Sequence, residues 1–137
     1  MPDKAGLVGY GVMGSVIAAR LKDEGYGVCI YDTQPAALAR AKAAGHAIFE
    51  SPDEVFERCT VLLLSLAKPT QVNDVVNRIV ESSETGLPSG AIIVDTSTVD
   101  PQTSRVNAVM AEKRGIGYLD CPVLGRPVAC GSWTLPV

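Results

Sequence analysis

Three glycines near the N-terminus have the spacing of a turn that binds phosphate. They belong to the hexapeptide Gly9-Tyr10-Gly11-Val12-Met13-Gly14, which has the pattern G-x-G-x-x-G. In such a turn the first glycine permits a tight bend, the second lets the backbone approach a ligand, and the third lets a helix pack closely on a strand. The N–H groups at the start of the helix then attract an anion. The hexapeptide therefore predicts a pyrophosphate site, and a glycine-rich turn without a ligand is the alternative.

An acidic residue follows at the distance expected for a carboxylate that binds a sugar. Asp32 lies eighteen residues beyond Gly14, close to the spacing of about 20 in dinucleotide-binding units. Its carboxylate would accept hydrogen bonds from ribose hydroxyls and repel a 2′-phosphate, and Thr33 and Gln34 supply no cation for such a phosphate. NAD is therefore favoured over NADP, although Arg40 in the next helix keeps NADP possible. Alternatively, Asp32 only caps the end of its strand.

The elements that must position these residues alternate between short apolar runs and helix-like stretches. Uniformly apolar runs are typical of parallel strands that are covered on both faces. Several of the stretches between them begin at a proline, which suits the first turn of a helix. The order predicts an α/β domain with a doubly wound parallel sheet of about six strands, a Rossmann-like fold. The strands that can be placed are Ala5–Val8, Val28–Tyr31, Val61–Leu64, Ala91–Val94 and Ile116–Leu119. The predicted helices are Val12–Glu24, Pro35–Ala44, one that starts at Ser51-Pro52, Pro69–Ile79 and Pro101–Arg114.

Composition excludes several classes of protein. The 137 residues suffice for one domain, and 47% of them are apolar, which permits a real core. Twelve Lys and Arg against fifteen Asp and Glu give a net charge of −3, which argues against a nucleic-acid binder. No apolar stretch approaches the length of a membrane span and no signal peptide is visible, so we expect a cytoplasmic protein. One histidine, His46, and four scattered cysteines predict no metal site.

Two later motifs, together with the glycine motif, resemble a known family. The motifs are Asp95-Thr96-Ser97-Thr98-Val99-Asp100-Pro101 and Asp120-Cys121-Pro122-Val123-Leu124-Gly125. In this order, and over essentially the whole chain, the three motifs are similar to the β-hydroxyacid dehydrogenases of the 3-hydroxyisobutyrate and tartronate semialdehyde reductase types, which are related to 6-phosphogluconate dehydrogenase. The resemblance implies an oxidoreductase that transfers hydride between a nicotinamide cofactor and a short hydroxyacid.

The resemblance also implies which positions hold the cofactor. The glycine motif and Asp32 would hold its adenosine diphosphate half, Ser65 and Leu66 would line the cleft, and Ser97 would lie beside the nicotinamide ribose. The position of Ser97 is reasonable on other grounds, because an open α/β sheet binds ligands at the carboxyl ends of its strands. A turn hydroxyl or a helix cap is the alternative role for Ser97.

The third motif departs from the family pattern at the expected site for the substrate carboxylate. The family has Ser-Gly-Gly where this chain has Leu124-Gly125-Arg126. Leucine offers no donor, but Gly125 permits close backbone approach and the guanidinium of Arg126 can pair with a carboxylate. Leu124, Gly125 and Arg126 are therefore the candidate substrate-binding residues. A solvated loop arginine is the alternative.

In the family the catalytic lysine lies on a second, helical domain that follows the part matched here. Lys68 is near the expected cleft but does not match that position, so no residue is assigned as catalytic. We therefore expect residues 1–137 to be a dinucleotide-binding domain, truncated at its C-terminal end, that is inactive alone and meets a small hydroxyacid only with a second domain. A non-catalytic binding or interaction module is the alternative. Self-association is expected through an exposed apolar patch. The patch comprises Leu119, Val123, Leu124, Trp133 and Leu135.

Overall fold

The computed structural model describes residues 4–82 and 86–122, and its strands and helices alternate as predicted. The strands are β1 (Lys4–Val8), β2 (Gly27–Tyr31), β3 (Ala47–Ile48), β4 (Val61–Leu64), β5 (Ile92–Asp95) and β6 (Gly117–Asp120). The helices are α1 (Val12–Asp23), α2 (Pro35–Ala43), α3 (Pro52–Phe56), α4 (Pro69–Glu81) and α5 (Pro101–Glu112). The two-residue strand β3 is the one that the apolar runs had not located.

The six strands form one parallel sheet in the order β3-β2-β1-β4-β5-β6. From β1 the chain moves outward to β3, and it then returns to the other side of β1 at β4. The strand order therefore reverses between β1 and β4, and connections leave these two strands in opposite directions. A crevice forms at the carboxyl ends of strands where this reversal occurs. The predicted doubly wound parallel sheet is confirmed.

Helices cover both faces of the sheet. Leu7 packs with Ala18 of α1 on one face, whereas its neighbour Val8 belongs to the cluster of Val72 and Val76 of α4 on the other. Because successive residues of a strand point to opposite faces, a strand that is covered on both sides must be apolar throughout. This requirement explains the continuous apolar runs of the sequence.

The helices begin in two different ways. Ser51 caps α3 by accepting a hydrogen bond from the Asp53 N–H at 3.2 Å, and Asp100 caps α5 by accepting one from the Thr103 N–H at 2.9 Å. Helix α1 instead begins after Gly11, which has no side chain with which to cap it. The first N–H groups of an α-helix have no acceptor within the helix. Those of α1 are therefore left for another acceptor.

Part of the sequence prediction falls on residues that the structure does not describe. This applies to the expected substrate-binding residues Leu124, Gly125 and Arg126. Of the predicted apolar patch, Leu119 is described, and 53% of its surface is exposed. Within residues 4–82 and 86–122, no helix has the length and apolar character needed to cross a bilayer. The same residues contain no group of three or more His, Cys, Asp or Glu side chains that could hold a metal ion.

Candidate functional site

A cleft of about 440 Å³ lies where the strand order reverses, at the carboxyl ends of β1, β2 and β4. One wall consists of Gly9, Gly11 and the segment Tyr31–Gln34. The other consists of the segment Ser65–Ala67 and the first turns of α4. Of the residues predicted to bind a cofactor, the cleft brings together Gly9, Gly11, Asp32, Ser65 and Leu66.

Gly9 and Gly14 allow α1 to lie close to the sheet. Gly9 has a φ of 103°, a conformation that side chains disfavour, and its N–H donates to the Tyr31 carbonyl at 3.0 Å. A Cβ on Gly9 would lie 2.1 Å from the carbonyl oxygen of Ser65, and one on Gly14 would lie 2.2 Å from that of Gly9. The tight turn and the close helix–strand contact predicted from the motif are therefore both present.

Gly11 has a different role, because it faces open space. A Cβ at this position would meet no atom within 4 Å. The carbonyl of Gly11 accepts the first hydrogen bond of α1, from the Ser15 N–H at 2.9 Å. The N–H groups of Val12, Met13 and Gly14 precede that bond and so have no acceptor within the helix. Bare backbone next to free donors is an arrangement that can bind an anion.

Asp32 connects the glycine turn to the end of β2. Its Oδ2 accepts a hydrogen bond from the Tyr10 N–H at 2.7 Å, and its Oδ1 accepts one from the Gln34 N–H at 2.8 Å. The strand-end cap considered as an alternative is thus present. An ionised carboxylate has about four acceptor sites, so both oxygens retain capacity for a ligand hydroxyl in the cleft.

The side chains of the other residues of the glycine motif do not line the cleft. Tyr10 is 4% exposed, and its ring meets the edge of His46 with 5.9 Å between centroids. Burial raises the pKa of Tyr10, and the Arg40 guanidinium lowers it in part. Val12 is 73% exposed in the first turn of α1. Neither Tyr10, Val12, Met13 nor Gly14 is part of the described lining of the cleft.

Ser97 lies behind the cleft rather than in its lining. It is 4% exposed, and its Oγ accepts a hydrogen bond from the Leu66 N–H at 2.9 Å. Its own N–H donates to the Asp95 carboxylate at 2.9 Å. Ser97 therefore supports the wall that Ser65 and Leu66 form. Its contact with a nicotinamide ribose stays a prediction.

Helix α4 contributes residues that the sequence interpretation missed. The Gln71 side chain accepts hydrogen bonds from the N–H groups of Ala67 and Lys68, both at 3.1 Å, and so closes the turn after β4. Arg78 makes two hydrogen bonds to Asp53, both at 2.9 Å, and these lower the pKa of Asp53. A proline-led helix directly after a central strand was the available signal, since its first turns must flank the strand's carboxyl end.

The family model for the NAD binding domain of 6-phosphogluconate dehydrogenase matches residues 4–132. The chain belongs to this family. Human mitochondrial 3-hydroxyisobutyrate dehydrogenase is 33% identical over 135 residues, which cover 95% of this chain and 38% of that protein. The 2-(hydroxymethyl)glutarate dehydrogenase of Eubacterium barkeri is 31% identical over 134 residues, which cover 98% of this chain and 44% of that protein.

Solved structures agree with this membership. The structure of Mycobacterium tuberculosis 3-hydroxyisobutyrate dehydrogenase with L-serine matches with a TM-score of 0.87 and 26% identity, over 96% of this chain and 44% of that one. The chain thus spans between 38% and 44% of the length of these three relatives. The predicted resemblance is confirmed: the chain belongs to the family of the NAD binding domain of 6-phosphogluconate dehydrogenase and is similar to part of 3-hydroxyisobutyrate dehydrogenases.

Proposed function

We propose that this chain binds NAD in preference to NADP and serves as the cofactor domain of a β-hydroxyacid dehydrogenase. The observation that carries the proposal is the bare backbone of Gly11 beside the Asp32 carboxylate in one cleft. Backbone donors suit a diphosphate and a carboxylate suits a ribose, which are adjacent parts of a dinucleotide.

Each part of the cofactor has complementary groups in or beside the cleft. The diphosphate accepts hydrogen bonds from the first N–H groups of α1, at Val12, Met13 and Gly14. The adenosine ribose donates to Asp32. The adenine lies between the segment Tyr31–Gln34 and the first turns of α4, which form opposite walls. The nicotinamide half extends past Ser65 and Leu66, towards the support formed by Ser97.

The preference for NAD follows from the charges around Asp32. A 2′-phosphate would carry between about −1.5 and −2 charges, next to a carboxylate. Thr33 and Gln34, which follow Asp32 in the cleft wall, have no positive charge to offset the repulsion. Among the described residues of the lining, the one cation is Arg78, which is hydrogen-bonded to Asp53.

The chain's own part in catalysis is to bind and orient the cofactor. When bound, the nicotinamide ring supplies the hydride chemistry. The described lining of the cleft contains no lysine or histidine that could take a proton from a substrate hydroxyl. We therefore propose that these residues bind the dinucleotide without turning over an acid. In the whole protein we propose a short β-hydroxyacid as the substrate, with the segment Leu124-Gly125-Arg126 as the candidate for binding its carboxylate.

Calorimetric titration of the chain with NAD⁺ and with NADP⁺ tests the proposal. We expect the unmodified chain to bind NAD⁺ more tightly than NADP⁺. In Asp32→Asn we expect the ratio of the two affinities to fall about tenfold, which corresponds to about 1.4 kcal/mol. Asp74→Asn is the matched control, because Asp74 also lines the cleft and loses the same charge. Tighter binding of NADP⁺ by the unmodified chain would contradict the preference, and binding of neither would contradict the function. Growth of the reduced-nicotinamide absorbance with 3-hydroxyisobutyrate would contradict binding without turnover.

A further inference from the structure

We propose that Arg40 is a positioning residue of the dinucleotide site, whose guanidinium holds the backbone that leads into α1 and does not bind a 2′-phosphate. The inference rests on the proposed function, since it concerns the same diphosphate-binding backbone. It assigns a role to Arg40, the cation that kept binding of NADP possible in the sequence analysis.

Three successive hydrogen bonds tie the glycine turn to the β2–α2 half of the domain. The Gly9 N–H donates to the Tyr31 carbonyl at 3.0 Å, and the Tyr10 N–H donates to Asp32 at 2.7 Å. The Arg40 Nη2 then donates to the Tyr10 carbonyl at 3.3 Å. The first two bonds hold the peptide groups before and after Gly9, and the third holds the peptide group between Tyr10 and Gly11. Arg40 therefore holds the peptide group that precedes Gly11, the N-cap residue of α1.

Because a peptide group is planar, holding its carbonyl also sets the direction of its N–H. No cis peptide bond is present in the described chain, so the group that joins Tyr10 to Gly11 is trans and planar. In a trans peptide the N–H points opposite to the carbonyl. The Gly11 N–H consequently points away from Arg40. It belongs to the residue whose Cα, which carries no side chain, faces open space. By fixing the carbonyl, Arg40 fixes the direction of this donor and the entry into α1.

The hydrogen bond to the Tyr10 carbonyl gives the Arg40 guanidinium a partner other than a 2′-phosphate. Arg40 is not part of the described lining of the cleft, whereas Asp32, Thr33 and Gln34 are. Burial raises the pKa of Tyr10, and the nearby Arg40 guanidinium offsets part of that rise. A positive charge beside the glycine turn attracts the diphosphate, which NAD and NADP share.

Titration of three variants with both cofactors tests the role. Arg40→Met removes the donor and the charge, and we expect it to weaken NAD⁺ and NADP⁺ binding by the same factor, about fivefold. Arg40→Lys keeps a charge and a donor, so we expect it to recover part of the loss. Lys42→Met is the matched control: it removes one charge from the same helix at an exposed residue, and we expect a change of less than about twofold.

The amide resonance of Gly11 in the free chain supplies a readout that does not depend on affinity. We expect it to move in Arg40→Met, to return towards its original position in Arg40→Lys, and to stay unchanged in Lys42→Met. A loss confined to NADP⁺ would identify Arg40 as a phosphate ligand and overturn the inference. An unmoved Gly11 resonance with unchanged affinities would also overturn it. If the unmodified chain bound neither cofactor, the proposed function would fail, while the resonance would still decide whether Arg40 positions the turn.

Discussion

The two sides of the cleft differ in whether their polar groups already have hydrogen-bond partners. At the start of α1, Gly11 presents bare backbone, and the N–H groups of the first turn have no acceptor within the helix. At the ends of β4 and β5 the polar groups are already paired. Ser97 accepts from the Leu66 N–H at 2.9 Å, and the Thr96 hydroxyl donates to the Leu64 carbonyl at 2.7 Å. The first side is therefore suited to recognition and the second to support.

Burial explains why the supporting side is fully paired. Asp95 has no exposed surface, and a buried carboxylate requires hydrogen-bond donors. It receives them from the Ser97 N–H at 2.9 Å and from the Tyr118 hydroxyl at 2.7 Å. Burial, together with the bond to Asp95, raises the pKa of Tyr118 well above its ordinary value. The phenol thus remains a donor to Asp95 at neutral pH.

We expect the largest effect on stability from a substitution that places a new side-chain atom between α1 and the glycine turn. In Gly14→Ala the new Cβ would lie 2.2 Å from the Gly9 carbonyl oxygen, a backbone atom that cannot turn aside. We expect the free energy of unfolding to fall by about 3 kcal/mol, measured by urea denaturation. A denaturation midpoint equal to that of the unmodified chain would show that α1 is not packed as described.

Gly11→Ala should separate recognition from stability. A Cβ at this position has no neighbour within 4 Å in the free chain, and φ is −81°, which alanine readily adopts. We expect the free energy of unfolding to stay within about 1 kcal/mol of the original value. The affinity for NAD⁺ should fall by more than about tenfold, because the methyl group occupies the approach of the diphosphate. Retained affinity in calorimetry would remove the basis for assigning recognition to this side.

Ser97→Ala should show the reverse behaviour. The Leu66 N–H would lose its acceptor, and we expect unfolding to become easier by about 1 kcal/mol with an affinity for NAD⁺ within about threefold of the original. Thr98→Ala is the control, since Thr98 is an exposed hydroxyl residue one position away. If affinity fell strongly while stability did not change, Ser97 would instead contact the cofactor, as the family resemblance implies.

The smallest effect concerns the outer edge of the cleft, where Arg78 pairs with Asp53. The pair is exposed, so we expect Arg78→Met to cost about 0.5 kcal/mol at neutral pH. The pKa of Asp53 is lower in the folded chain than in the unfolded chain. The stabilisation from the pair is therefore present above the unfolded-state pKa and is lost as the pH falls through the folded-state pKa. Denaturation curves of the two proteins should therefore begin to converge as the pH falls below about 4 and coincide below the lowered pKa of Asp53. A difference that persists at lower pH would assign the effect to packing.

The features that sequence predicted well are those that depend on local chemistry. Gly9 and Gly14 are required by contacts made within one strand–turn–helix unit, and the position of Asp32 follows from the length of that unit. The order of strands and helices is predicted by uninterrupted apolar runs, which mark strands whose residues are buried on both faces of the sheet. Each of these constraints acts on a short stretch of chain and therefore leaves a recognisable pattern.

The features that sequence did not predict depend on contacts between distant segments. Nothing near Ser97 indicates that its hydroxyl binds the N–H of Leu66, which lies on another strand connection. The contribution of Gln71 to the turn after β4, and the bond from Arg40 to Tyr10, depend on how helices rotate against the sheet. The packing of the buried Tyr10 ring against His46 depends on such contacts too.

The backbone amide spectrum of the chain during titration with NAD⁺ tests the central claim most directly. The account predicts that the largest shifts occur at Gly11, Val12, Met13 and Gly14 and that they saturate together. The exposed Thr98 should move little. Largest shifts at the supporting side, or an unchanged spectrum at the start of α1 under saturating NAD⁺, would contradict the claim that free backbone donors bind the diphosphate.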